Sequence, residues 1–192
     1  PDKPEMLAYY NTDGPHGDIF RSTQSTDVAF MGLGTGTLNC YQNGRQNFIF
    51  YEIDPLIEEI ARTHFDYLEK CGEPTIRLGD GRLELMRDEQ NFDLILIDAF
   101  SSDAVPIHLI TKEAVQGYLQ KLNPGGLIGF HISNRFVDLT PALMTIADEL
   151  DVSALARFYN PPRHLQLALP TSFIALTNNE ETIQKLIAED WI

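Results

Sequence analysis

The chain has 192 residues, 43% of them hydrophobic, enough for one folded domain with a core and too many for a disordered segment. A formal net charge of -14 argues against nucleic acid, whose phosphates it would repel, and is compatible with a cationic small molecule such as a polyamine, though a charged surface also simply keeps a domain soluble. No apolar run reaches the roughly 18 residues of a membrane helix, and no leader pattern opens the chain.

The first residue is Pro1 rather than Met, so the chain reads as processed or excised from something longer. Residues 1–26 are rich in Gly, Pro and Asp and read as an irregular or partly extended lead-in, the remnant of an amino-terminal segment. Residues 27–192 then read as one domain.

The first strand, 27–31 (DVAFM), runs into Gly32-Leu33-Gly34-Thr35-Gly36-Thr37. Glycines there allow a tight turn and close approach of a ligand to the backbone, and a following helix start would offer unpaired N–H groups. A dinucleotide fingerprint would place glycine where Thr37 stands, so the loop fits NAD poorly. The second strand, 47–51 (NFIFY), ends in Glu52-Ile53-Asp54. Glu52 lies twenty residues past Gly32, where a carboxylate can accept from both hydroxyls of a ribose. Asp54 reads equally as a binding acid or a solvated strand end.

A helix is expected over 55–67, with Pro55 near its start. The third strand, 74–78 (PTIRL), leads to Gly79-Asp80-Gly81. Asp80 suits either an adenine edge or the cap of a following helix. The fourth strand, 92–97 (FDLILI), is nearly all apolar, as a strand buried on both faces should be. It ends in Asp98-Ala99-Phe100-Ser101-Ser102-Asp103. Asp98 is expected half-buried at a crevice, with Asp103 following on the loop. Two carboxylates converging on one pocket can hold ammonium groups and take a proton from one. Alternatively Ser101, Ser102 or Asp103 caps the next helix.

A helix over 111–122 stops at Asn123-Pro124-Gly125-Gly126. A fifth strand at 126–132, a helix at 141–150, strands at 152–158 and 172–177, and a helix at 180–188 complete the chain. This alternation predicts an α/β fold, a doubly wound and mainly parallel sheet with its ligand at the carboxyl ends of the strands.

Cys40 and Cys71 form no CxxC pair and read as reduced, structural residues of a cytoplasmic protein. The histidines at 16, 64, 108, 131 and 164 show no paired spacing, so no metal site is expected. GxSxG and GxxxxGK[ST] are both missing, which removes the α/β-hydrolase and P-loop readings.

Taken together, GLGTGT at 32–37, YEID at 51–54, LGDGRLELM at 78–86, FDLILIDAFSSD at 92–103 and LNPGGLIGFHISN at 122–134 resemble the spermidine synthase (aminopropyltransferase) family, especially the bacterial type fused to a membrane-transporter-like segment. The resemblance implies a Rossmann-like fold of the S-adenosylmethionine-dependent methyltransferase type. It also implies transfer of an aminopropyl group from decarboxylated S-adenosylmethionine to a polyamine such as putrescine, without a metal. By this likeness Gly32, Gly34 and Gly36 lie against the aminopropyl–sulfonium part of the donor. Glu52 takes the ribose, while Asp80 and Gly81 take the adenine side. Asp98 is the proton acceptor and Asp103 the second substrate-binding acid. Tyr9 or Tyr10 corresponds to the substrate-side tyrosine, and a homodimer is the common assembly.

The sequence also departs from that pattern. Thr35 replaces an acid of the usual GGGDGG loop, two extra residues separate Asp98 from Asp103, and the amino-terminal β-hairpin domain is nearly absent. A methyltransferase using S-adenosylmethionine itself would share the fold, but many of those carry an acid where Phe30 stands. A non-catalytic domain that binds an adenosyl ligand or polyamine is the other alternative.

Overall fold

The computed structural model describes residues 4–100, 105–133 and 137–192. Strands β1 (Asp27–Met31), β2 (Asn47–Glu52), β3 (Thr75–Leu78), β4 (Phe92–Ile97), β5 (Leu122–His131), β6 (Ala154–Tyr159) and β7 (Thr171–Leu176) form one sheet. Their order is β3-β2-β1-β4-β5-β7-β6, parallel from β3 to β5, with β7 antiparallel to both of its neighbours. The chain reverses direction across the sheet between β1 and β4, the switch point at which doubly wound sheets open a crevice.

Alternate residues of each strand point to opposite faces, and the sequence supplies apolar side chains to both. On one face Met31, Tyr51, Ile95 and Ile97 pack against Leu85, Val115 and Leu143. These three come from helices α4 (Gly81–Arg87), α5 (Lys112–Gln120) and α6 (Thr140–Glu149). On the other face Phe30, Phe50, Leu94 and Leu96 meet Ile19, Ala61 and Leu186. Those belong to α1 (Pro15–Ser22), α2 (Pro55–His64) and α7 (Glu180–Ala188). Phe92 and Leu94 to Ile97 are all 0% exposed. At about 1.5–3 kcal/mol per buried large apolar side chain, this burial holds β4 firmly at the centre of the sheet.

Four local features differ from the sequence reading. The lead-in contains α1, started by Pro15 and pinned by Asp18, whose carboxylate accepts from the Trp191 indole at 3.0 Å and from Arg21 at 2.6 Å. The amphipathic signal of one eight-residue helix was too short to stand out. The expected helix over 55–67 is two pieces, because the chain becomes extended at Phe65 before α3 (Tyr67–Cys71). After the glycine loop comes a five-residue 3-10 turn, Thr37–Tyr41, in place of an α-helix, since β2 already begins at Asn47.

The fourth correction concerns the cysteines. Cys40 and Cys71 are bonded to each other, Cα to Cα 4.9 Å apart, rather than reduced. The 3-10 turn lies against α3 and brings them together across 31 residues, a separation that no short spacing motif detects.

Candidate functional site

Main-chain hydrogen bonds carry the ladder past the strand ends. Gly79 N–H donates to Glu52 O (2.8 Å), Gly32 N–H to Tyr51 O (2.8 Å) and Asp98 N–H to Met31 O (3.0 Å). Asp80, Glu52, Gly32 and Asp98 therefore stand in a row along the carboxyl edge of β3-β2-β1-β4, about 5 Å per strand.

Gly32, Gly34 and Gly36 all have positive φ, +102°, +54° and +82°. Two of them are also required by space. A Cβ on Gly32 would lie 2.5 Å from the Asp98 carbonyl oxygen, and one on Gly36 would lie 2.7 Å from Leu68. Above Gly34 nothing lies within 4 Å, so the crest of the loop is open to a ligand.

Glu52 is buried, with 8% exposure. Its Oε2 accepts from Leu33 N–H at 2.9 Å and its Oε1 from Asp54 N–H at 3.0 Å. It thus ties the glycine loop to β2. Each carboxylate oxygen has two lone pairs, so one on each remains for a diol. Asp54 caps α2 through Leu56 N–H. Asp80 caps α4 through Leu83 N–H at 3.0 Å and pairs its other oxygen with His108 at 3.1 Å. Gly81 packs closely on Met31, and a Cβ there would sit 3.1 Å from Met31 Cγ.

Asp98 is half-buried as a residue, while its side chain is enclosed, only 3% exposed. Its Oδ1 lies 2.6 Å from His131 Nδ1, and its Oδ2 lies 4.0 Å from His16 Nε2. Burial, and then the Asp98 carboxylate, push the Tyr10 phenol well above its ordinary value, so Tyr10 remains protonated beside it. Burial pulls His16 down to about 4, outweighing the attraction of Asp98. His16 is neutral at pH 7, with Nδ1 on the Tyr9 carbonyl at 3.1 Å and Nε2 left without a partner. His131 completes the chain of contacts through Nε2, 2.9 Å from Ser133 Oγ.

His16, Asp98 and His131 each offer one metal-ligating atom, all within 4.8 Å of one another. The 2.6 Å Nδ1–Oδ1 contact engages two of those atoms with each other, so the arrangement is a hydrogen-bonded cluster as it stands.

A cavity of about 720 Å³ opens beside this cluster, at the ends of β5, β6 and β7. Tyr9, Tyr10, Phe100, His131, Ser133 and Tyr159 are among its walls. The two tyrosines singled out in the lead-in thus both reach it. Glu52, Asp80 and Asp98 do not line it, and His131 stands between Asp98 and the open space. Asp103 lies outside the described residues.

Sequence reasoning missed His131, His16 and Ser133. Position offered a signal for two of them, since His131 ends the strand beside the Asp98 strand and Ser133 follows two residues on. His16 had none, because its helix was not anticipated.

No protein-family model matches the chain. It is similar to the polyamine aminopropyltransferase of Vibrio vulnificus, 28% identical over 69% of this chain and 44% of that protein. It is also similar to a probable polyamine aminopropyl transferase of Bifidobacterium longum, 31% identical over 54% of this chain and 23% of that one. The chain therefore spans less than half the length of these curated relatives. Among solved structures, the spermidine synthase of Thermotoga maritima superposes with a TM-score of 0.64 at 18% identity, covering 94% of this chain and 60% of that one. A spermidine synthase in complex with the transition-state analogue AdoDATO gives the same TM-score and identity, covering 88% and 60%. An O-methyltransferase from Klebsiella pneumoniae, itself putative by name, gives 0.59 at 18% identity, covering 85% and 80%. The fold is the Rossmann-like α/β fold that spermidine synthases share with S-adenosylmethionine-dependent methyltransferases.

Proposed function

We propose that the chain is an aminopropyltransferase that moves an aminopropyl group from decarboxylated S-adenosylmethionine to a polyamine such as putrescine. One observation carries this reading. An open glycine loop, a ribose-competent carboxylate and two further acids occupy four adjacent strand ends at the switch point. In this reading the adenosyl part lies over Gly34, its ribose on Glu52 and its adenine between the exposed Ile53 and the Asp80–Gly81 turn. The amine enters the cavity walled by Tyr9 and Tyr10, and Asp103 holds its distal ammonium. The likeness to aminopropyltransferases, and to a spermidine synthase that binds AdoDATO, supports the donor choice.

The chemistry asks little of the protein beyond alignment and a proton acceptor. The amine nitrogen forms a bond to the carbon next to sulfonium. The C–S bond breaks with its electron pair going to sulfur, and neutral methylthioadenosine leaves. Asp98 belongs to the proton-accepting machinery, and no step requires a metal.

The same motifs underlie our assignment to the bacterial membrane-fused type, and a homodimer is the assembly proposed with it. No helix among the described residues is long and apolar enough to cross a membrane. A cytoplasmic location loses its cysteine ground, because a bonded Cys40–Cys71 pair fits an oxidising compartment.

Methylthioadenosine release from decarboxylated S-adenosylmethionine and putrescine is the direct test. Release is expected from the wild-type chain. Methyl transfer from S-adenosylmethionine, with no release, would favour the methyltransferase alternative, whose fold is the same. Donor binding with neither product would favour a binding domain. Glu52→Ala should weaken methylthioadenosine binding about tenfold, as lost hydrogen bonds to a carboxylate cost about 1.4 kcal/mol or more. Titration calorimetry reads this, and unchanged affinity would remove Glu52 from the donor site.

A further inference from the structure

We infer that the proton of the attacking amine travels to His131 through the hydroxyl of Ser133, and that Asp98 acts on His131 rather than on the amine. The inference rests on the transferase reading above and assigns the acceptor within it.

Three observations combine here. Asp98 is buried and does not line the cavity, whereas Ser133 is half-buried and lines it together with His131. The contacts form one unbroken chain, with Asp98 Oδ1 to His131 Nδ1 at 2.6 Å and His131 Nε2 to Ser133 Oγ at 2.9 Å. Finally, Ser172 N–H donates to Ser133 Oγ at 2.9 Å.

The relay takes Asp98 as the carboxylate and His131 as the neutral imidazole. A carboxylate only accepts, so Nδ1 then carries the hydrogen and Nε2 presents a lone pair. Ser133 must then donate its hydrogen to Nε2 while accepting from Ser172. Its remaining lone pair is free to accept from an amine in the cavity. As the amine loses a proton, Ser133 Oγ takes that proton and passes its own to Nε2. The products are a neutral secondary amine, an intact hydroxyl and an imidazolium whose charge faces Asp98. The Ser172 N–H stabilises the charge that builds on Oγ during the exchange. Phe173, stacked 5.3 Å from the His131 ring, holds its plane. In this scheme His131 and Ser133 are catalytic and Asp98 is a positioning residue.

The test compares kcat and KM of His131→Gln, Asp98→Asn, Ser133→Ala and Ser133→Thr, reading methylthioadenosine release. His131→Gln should lower kcat at least about 100-fold and leave donor KM within about threefold, the usual scale of a lost general base. Asp98→Asn should lower kcat comparably, because an amide fixes the wrong imidazole tautomer. It should also abolish the far-downfield Nδ1–H proton resonance of the wild type. Ser133→Ala should cost at least about tenfold, and Ser133→Thr, which keeps the hydroxyl, should restore most of that.

If His131→Gln does not fold, the Ser133 pair still decides, since a structural role for the hydroxyl would not follow kcat alone. Full kcat in a folded His131→Gln, with loss only in Asp98→Asn, would overturn the relay and leave the transferase reading standing. Absence of release from the wild type with any diamine would overturn both.

Discussion

Reducing the Cys40–Cys71 bond will destabilise the chain by about 3–4 kcal/mol, the chain-entropy scale for a closed loop of this length, 31 residues of separation. The cross-link spans the stretch that carries β2, Glu52 and α2, so its loss frees a large part of one sheet half in the unfolded chain. It also loosens the glycine loop in the folded state. Leu68 of α3 packs under Gly36, and Cys71, three residues on, is the tether that holds α3 to the 3-10 turn. Urea midpoints with and without reductant, and for Cys40→Ser/Cys71→Ser, measure the effect. The double variant should match reduced wild type and ignore reductant. Two thiols titrating in unreduced, denatured protein, with a midpoint insensitive to reductant, would sink the prediction. Methylthioadenosine binding should weaken alongside stability, because the loop that Glu52 grips through Leu33 is the one the bridge steadies.

Legibility in the sequence followed the range of the forces. The central strands of the parallel half were plain because burial on both faces writes a continuous apolar run, Phe92–Ile97 above all. The glycine loop and Glu52 were plain because turn geometry and the strand end act over a few residues. Asp80 showed its two possible roles without choosing, whereas Asp54 read as a binding acid or a solvated strand end; in the structure each carboxylate caps a helix. What sequence order hid was contact between distant segments. His16 meets Asp98 only because α1 folds back over the sheet, and His131 meets it only because β5 lies beside β4. The bridge between Cys40 and Cys71 was hidden in the same way. Each of these pairs was invisible to spacing rules, and each changes the chemistry. Asp98, legible as an acid after a buried strand, turned out to be covered by a histidine that no motif had marked.

His16 makes a second large effect measurable. It is 0% exposed and faces His131, Tyr10 and the Oδ2 of Asp98, while Phe173 and Tyr41 contact its ring. Burial dominates, so its folded value is about 4 against an ordinary 6.5. Between those values the unfolded chain binds a proton that the native chain refuses, so stability rises with pH across this window. His16's contribution is therefore complete above about pH 6.5 and is lost as the pH falls toward 4. The shift of roughly 2.5 units corresponds to a loss on the order of 3 kcal/mol at about 1.4 kcal/mol per unit. Other groups titrate in the same range, so the informative quantity is the difference between wild type and His16→Gln, whose amide does not titrate. That difference, from urea midpoints at pH 7 and pH 4, should move against wild type by about this amount. A constant difference would mean that His16 is protonated in the native state near its ordinary value. The Asp98 cluster would then hold an imidazolium, and the neutral-histidine surroundings on which the His131 relay depends would be lost with it.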